Sequence, residues 1–255
     1  MADLGLRVSV EDGIAELTLD RPPLNVLDMA LLHAFSDAID DLGAQRDLRL
    51  LVIRGKGKAF SAGVDVGEHL GDDLAPMLEA FGRAAMRLLA SETPTLAVAH
   101  GAILGGACEL VALADLAIVA DDAVLGTPEI RLGVVPPIAA AAFPRLVGLQ
   151  QAAALILTGD TVSGAEAARM GLVWRSVPAD RLEAESHAVI ERFRGLSASA
   201  LRLARRTMRG AMRMPLHQAI AEATDLQVRS IPEMADAQEG LRSFLEKRAP
   251  VWSHR

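Results

Sequence analysis

The chain predicts an α/β fold, built of strand–strand–helix units through about residue 178 and ending in a tail of helices alone. Three observations carry that prediction. Residues 7–11 and Ile14–Leu19 alternate apolar and polar side chains about Asp12-Gly13, the pattern of a β-hairpin. Thr95–Ala99 is an apolar run of strand length, followed after a short loop by Gly105-Gly106 and an Ala/Leu-rich helical segment. From Ala179 onward the apolar spacing is helical only.

The remaining elements follow in order. Residues 21–27, Arg-Pro-Pro-Leu-Asn-Val-Leu, form a loop, and Asp28 caps a helix whose apolar positions are Leu31, Leu32, Phe35, Ile39 and Leu42. Residues 50–53 make a short buried strand. The segment from Arg54 to Asp65, Arg-Gly-Lys-Gly-Lys-Ala-Phe-Ser-Ala-Gly-Val-Asp, holds two of the three lysines, Lys56 and Lys58; the third is Lys247. Such a glycine-rich basic loop suits phosphate groups, although it is no Walker A loop; a solvated turn is the plain alternative. A helix spans residues 74–90, and Pro94 opens the next strand. Residues 116–119 form a strand, residues 125–137 pass through turns, and an Ala-rich helix covers 138–146. Ser163-Gly-Ala-Glu166 is a capping box for a short helix that stops at Gly171, and residues 172–177 read as a strand. In the tail, Arg202, Arg205, Arg206, Arg209 and Arg213 form one stripe, read as a solvated face, with a subunit interface or a phosphate contact as alternatives.

Composition narrows the function. The net charge is -7, from 26 basic and 33 acidic residues, which argues against general nucleic-acid binding. Aromatic residues are 3%, with no Tyr, so base-stacking platforms are disfavoured too. No run of apolar residues is long enough to span a membrane, and residues 1–7 lack the form of a signal peptide. The single Cys108 permits no internal disulfide and reads as a small core residue. A soluble, cytoplasmic protein is the expectation. The six histidines are scattered without metal-ligand spacing, and neither Gly-x-Ser-x-Gly nor Cys-x-x-Cys occurs.

What remains is a pair of carboxylates. The strand–glycine–helix step at Gly105-Gly106 aims backbone N–H groups and a helix dipole at whatever sits over the turn, with Glu109 in the first helical turn. Glu129 follows Pro128 in an apolar neighbourhood, one helix and one strand further on. Two successive units can thus present one carboxylate each to a single cleft, a pattern suited to general acid–base work. Taken alone, Glu109 is also explained as a charge complementing a helix N-terminus.

Together these segments resemble the enoyl-CoA hydratase/isomerase (crotonase) family. The likeness rests on Leu19-Asp-Arg-Pro before Asn-Val-Leu, Lys58-Ala-Phe-Ser-Ala-Gly-Val-Asp, Gly101-Ala-Ile-Leu-Gly-Gly-Ala-Cys-Glu-Leu, Pro128-Glu-Ile-Arg-Leu-Gly, Leu157-Thr-Gly-Asp, Ala165-x-x-Ala-x-x-x-Gly-Leu-Val and Glu239-Gly-Leu-Arg-Ser-Phe-Leu-Glu-Lys-Arg, all in order along one chain. The resemblance implies a crotonase-like spiral with its active site in residues 1–195, and a helical region, 196–255, that trimerises and completes the CoA site. A homotrimer or homohexamer follows from it. It also implies an acyl-CoA thioester substrate, with no cofactor beyond that coenzyme A. Glu109 and Glu129 fall on the family's acid/base glutamates, and the N–H groups of Val64 and Gly106 on its oxyanion hole. Lys58, Ala59, Ala62, Gly63, Asp65, Val66 and Gly105 fall where the family grips the substrate, and Phe244 and Lys247 where its tail reaches the CoA.

One turn departs from the family pattern of Pro-Gly-x-Gly-Gly. Here it is Val134-Val-Pro-Pro-Ile-Ala-Ala, and Pro137, on the substrate side of that turn, has no N–H to hold a water. With Leu24-Asn-Val-Leu-Asp, the turn looks like the cyclohexa-1,5-diene-1-carbonyl-CoA hydratase branch of anaerobic aromatic degradation. The expected activity is hydration of an α,β-unsaturated acyl-CoA. The rivals are a Δ3-Δ2 enoyl-CoA isomerase, which needs one carboxylate only, and a non-catalytic acyl-CoA-binding member of the fold.

Overall fold

A computed structural model describes residues 4–255. Strands β1 (Leu6–Glu11) and β2 (Ile14–Leu19) pair antiparallel about Asp12 and Gly13, both at positive φ, as a two-residue hairpin turn requires. Helix α1 (Met29–Gly43) starts where the Asp28 carboxylate accepts the Leu31 N–H at 2.9 Å, and it buries the five apolar positions named above. Then come β3 (Leu50–Gly55), α2 (Leu74–Ala90), β4 (Thr95–Ala99), β5 (Ala102–Leu104), α3 (Gly106–Leu113), β6 (Leu116–Ala120) and β7 (Val124–Gly126). After a 3-10 turn at Pro128–Leu132 follow α4 (Pro137–Val147), α5 (Leu149–Thr158), β8 (Thr161–Ser163), α6 (Gly164–Met170), β9 (Arg175–Val177) and α7 (Leu182–Arg194). The tail is α8 (Ala198–Ala211), α9 (Leu216–Glu233) and α10 (Ala235–Glu246).

The strands form two sheets. The larger has the order β1-β2-β3-β4-β6-β9 and is parallel from β2 onward; the smaller has the order β5-β7-β8. Strand β4 lies in the large sheet and β5 in the small one, then α3 returns the chain to β6 and β7, which repeat the alternation. From β4 to β7 each successive pair of strands therefore adds one strand to each sheet, whereas β1 and β2 both lie in the large one. The inner strands β3, β4 and β6 are apolar along nearly their whole length because both faces are covered.

Several sequence expectations need correction. The loop before Gly105 is strand β5, and the turns after residue 123 include β7; with β8 these strands have three residues each, too few to show a two-residue period. The strand expected over 172–177 is confined to Arg175–Val177. The Ala-rich helix stops at Gly148, at φ 80°, and a second helix, α5, begins at once.

The arginine stripe is not a solvated face throughout. Arg205 is 4% exposed and its Nε donates to Asp115 at 2.5 Å, while Arg209 Nη2 donates to the other Asp115 oxygen at 2.7 Å. The same carboxylate accepts from the Thr95 N–H and Oγ1, both at 2.9 Å. Burial alone would raise the Asp115 carboxyl, but the two guanidinium groups hold it below the usual range. This cluster bolts α8 to the ends of β4 and α3. Asp236, 2% exposed, closes the far end of the tail by accepting from Ser197 Oγ and from the Ser253 and His254 N–H groups. Among the described residues, no helix is long and apolar enough to cross a membrane.

Candidate active site

The site grows from the small sheet. Its edge is extended by two lone parallel pairings, Ser61 with Ile103 and Leu27 with Val64. Leu27 donates to the Gly63 carbonyl at 2.9 Å and accepts from the Asp65 N–H at 3.1 Å. In a parallel pairing of this kind the middle residue turns its own N–H and C=O away, so the Val64 N–H points from Leu27 toward the start of α3. Gly106 opens that helix against Val64: a Cβ there would stand 2.6 Å from Val64 Cγ2. Neither the Val64 nor the Gly106 N–H finds an acceptor among the described residues. Two neighbouring unpartnered donors, one at a helix N-terminus, suit an oxygen that is gaining negative charge.

Close backbone approach makes this possible. Gly63 has φ 100°, and a Cβ on it would lie 2.7 Å from the Leu104 carbonyl oxygen. Gly105 has φ 55°, and a Cβ on it would lie 2.8 Å from Glu129 Oε1. Any side chain would push these walls apart. Two polar residues fix the loop. The Asn25 amide, 1% exposed, reaches the carbonyls of Lys56, Ala59 and Phe60 at 2.9–3.0 Å. Ser61 Oγ, fully buried, accepts from the Gly63 N–H at 3.1 Å.

Glu109 projects from the first turn of α3 and is 1% exposed. Its Oε1 accepts the Ala139 N–H at 2.5 Å, and the Ile138 N–H also points at the carboxylate. Pro137 occupies the first position of α4, where a missing N–H costs nothing, so Glu109 satisfies the next two orphan donors of that helix. Burial pushes the Glu109 carboxyl up to about 7; the Ala139 N–H works against this, and the charge of Glu129 adds to it. Glu129 stands in the 3-10 turn with Oε1 beside Gly105, while its buried Oε2 has no hydrogen-bond partner. Burial raises its carboxyl too, opposed by its own backbone N–H and by the nearby His69.

The structure thus brings Val64, Gly105, Gly106, Glu109 and Glu129 to one place. Ala59 and Gly63 are buried in the adjoining loop, Ala62 and Asp65 are half-buried, and Lys58, Val66 and Pro137 are exposed at its rim. Lys56 is drawn aside by Asp20, at 3.0 Å, whereas Lys58 has no ion-pair partner among the described residues. Phe244 and Lys247 are not brought to this cluster within the chain: they end α10, which packs on α8 and α9, and Phe244 is 82% exposed. Cys108 is fully buried and its thiol is pushed far up by burial, in keeping with a core role.

Sequence reasoning missed Asn25, Ser61 and His69. Asn25 left a signal, since an Asn after Pro-Pro-Leu readily takes the positive φ of 52° seen here. His69 left none. It ends the short turn Gly67–His69 with Nδ1 2.9 Å from the Asp65 carbonyl oxygen.

Comparison with known proteins identifies the relatives of the chain. Residues 9–255 match the family model described as enoyl-CoA hydratase/isomerase. A protein of Mycobacterium tuberculosis named as a probable enoyl-CoA hydratase is 38% identical over 251 residues, covering 97% of each chain. The cyclohexa-1,5-dienecarbonyl-CoA hydratase of Thauera aromatica is 36% identical over 253 residues, covering 98% of this chain and 97% of that one. Among solved structures, human enoyl coenzyme A hydratase domain-containing protein 3 superposes with a TM-score of 0.92 at 27% identity, covering 97% and 100% of the two chains. A family model spanning nearly the whole chain, relatives of similar length and a shared spiral together settle the kinship: the chain belongs to the enoyl-CoA hydratase/isomerase family.

Proposed function

We propose that the protein adds water reversibly to an α,β-unsaturated acyl-CoA thioester. The observation that carries this reading is the juxtaposition of buried Glu109 and half-buried Glu129, both raised, with the unpartnered N–H groups of Val64 and Gly106. The thioester oxygen would sit on the two N–H groups, which stabilise the enolate-like charge; losing one such donor typically costs about 3–4 kcal/mol of barrier. One glutamate, as carboxylate, takes a proton from water as its oxygen bonds to Cβ, and the other, protonated, delivers a proton to Cα. The proton count closes. The mechanism calls on no cofactor besides the coenzyme A that the substrate carries.

The loop from Lys58 to Val66 would hold the CoA moiety, with Lys58 facing its phosphates. Phe244 and Lys247 would add to that grip from a neighbouring copy. Exposed Met208, Met212, Leu216, Ile220, Val228, Leu241 and Leu245 give the tail helices an apolar surface in keeping with a homotrimer or a hexamer of two trimers. Sedimentation at micromolar concentration tests this, and a monomer would refute it. The lone buried Cys108 suits a reducing compartment, and the reading places the enzyme in the cytoplasm.

For the acyl group we favour a cyclic dienoyl ring, as formed in anaerobic aromatic degradation. Pro136-Pro137 sets a stiff apolar turn beside Glu109, and the Thauera aromatica relative carries a cyclic dienoyl name. Loss of enoyl-thioester absorbance, followed over a panel of linear and cyclic acyl-CoA esters, tests the proposal. Hydration of cyclic dienoyl-CoA with the higher kcat/KM is expected. A shift of the double bond without hydration would instead establish the isomerase, and inactivity on every ester a non-catalytic member.

A further inference from the structure

The backbone that carries Lys58 is shaped by a residue from elsewhere in the chain. His100 stands at the step between β4 and β5 and holds the Lys58 loop twice. Its carbonyl accepts the Phe60 N–H at 2.8 Å, and its Nε2 lies 2.9 Å from the Gly57 carbonyl oxygen. A carbonyl oxygen can only accept, so Nε2 carries a hydrogen and donates, in either charge state of the ring. Asn25 holds the preceding carbonyl, that of Lys56, at 2.9 Å. The Lys58 carbonyl, next along, is pressed against Gly101, which has φ 61° and where any Cβ would collide with that oxygen. Three carbonyls in a row are thus turned toward the body of the protein.

The peptide bonds joining residues 56, 57 and 58 are trans, which sets each N–H opposite the preceding carbonyl. The Gly57 N–H therefore points away from Asn25, and the Lys58 N–H away from His100. Both residues are exposed, and neither N–H has an acceptor among the described residues. Two successive N–H groups on one side of a turn make a concavity suited to an anion. The second of them belongs to the lysine with no ion-pair partner among the described residues, whereas Lys56 is engaged by Asp20. We propose that His100 is a positioning residue for the CoA phosphates: by drawing the Gly57 carbonyl inward it turns the Lys58 N–H outward, so that the backbone and the ammonium of one residue hold a phosphate together. Without the ring the peptide between Gly57 and Lys58 is free to flip, a change that glycine, here at φ 91°, resists least.

The inference rests on the acyl-CoA reading above, and the experiment separates the two. His100→Leu removes the donor, and His100→Gln returns an N–H at the reach of Nε2. The same enoyl group is offered to the full-length proteins on CoA and on N-acetylcysteamine, which carries the thioester but no phosphate. In His100→Leu the KM for the CoA ester should rise about tenfold with kcat within about twofold, the size of one hydrogen bond to a charged group. For the N-acetylcysteamine ester kcat/KM should stay at the wild-type value. His100→Gln should recover most of the loss. Calorimetric titration with free CoA should show the same tenfold weakening without turnover. Equal losses on the two esters, unaltered CoA affinity in His100→Leu, or no CoA binding by the wild type would each overturn the proposal. Should His100→Leu not fold, His100→Asn, whose amide is too short to reach Gly57, replaces it. If CoA affinity falls as expected while the wild type hydrates no ester, the role of His100 stands and the hydratase reading falls.

Discussion

The two ends of the cleft hold the same side chain in opposite circumstances. Glu109 grows from a regular helix, is sealed from solvent, and has an oxygen gripped by the first turn of α4. Glu129 sits in a five-residue 3-10 turn with one oxygen unpartnered. One carboxyl is fixed by the N–H groups of another helix, and the other by its own backbone N–H and its close fit against Gly105. The contrast teaches that a matched pair of residues need not make a matched pair of acids. Environment, more than residue type, sets which one gives and which one takes a proton.

The comparison is broken most severely by removing either acid. Glu109→Gln and Glu129→Gln are each expected to lower hydration kcat by about 100- to 10,000-fold while CoA affinity stays near normal. If they work as one unit, the double variant will be little worse than the poorer single variant. Stopped-flow turnover with parallel CoA titration decides it, and near-normal turnover in either single variant would falsify the paired mechanism.

Next in size is a stability effect confined to the gripped carboxyl. Glu109 is raised to about 7 in the folded protein from an ordinary value of 4.5. The folded state therefore prefers the acid form. The penalty for ionising it is absent below about pH 4.5, grows as pH rises, and is complete above about pH 7, where it reaches roughly 3 kcal/mol. Glu109→Gln escapes that penalty and keeps an oxygen for the Ala139 N–H. Its Tm should match the wild type near pH 4.5 and exceed it by several degrees at pH 8 in calorimetric scans. An equal gap at both pH values would contradict this account.

The smallest effect expected is on selectivity. Pro137→Gly restores an N–H beside Glu109 and loosens the turn, so crotonyl-CoA should gain on cyclic dienoyl-CoA by about tenfold in relative kcat/KM. An unchanged ratio would remove the turn from the account of specificity.

Much of this was readable in the sequence wherever a pattern is long or local. Helix α2 matches its expected span of residues 74–90, and the capping box from Ser163 to Glu166 forms with both of its hydrogen bonds. Glu109 announced itself by its place after Gly-Gly, and Glu129 by a charge in apolar company. Strands of three residues carry no period, so the small sheet that aligns Val64 with Gly106 was invisible. Arg205 was misread because its partner lies ninety residues earlier, at Asp115. Asn25 is a similar case: its work is done on carbonyls 31 to 35 residues away, and no local pattern records that.

The Asp115 cluster also bears on the order in which the molecule assembles. A ring ninety residues long must close before Arg205 can meet its carboxylate, and that closure costs entropy which nothing local repays. The carboxylate moreover waits for Thr95, from a strand twenty residues upstream, to take its place. The tail is therefore expected to dock late, onto a spiral already formed. An interaction made after the rate-limiting step slows escape from the native state without hastening arrival. In Arg205→Met the lost stability should appear as faster unfolding, with the refolding rate almost untouched: the bolt acts as a latch on a finished structure.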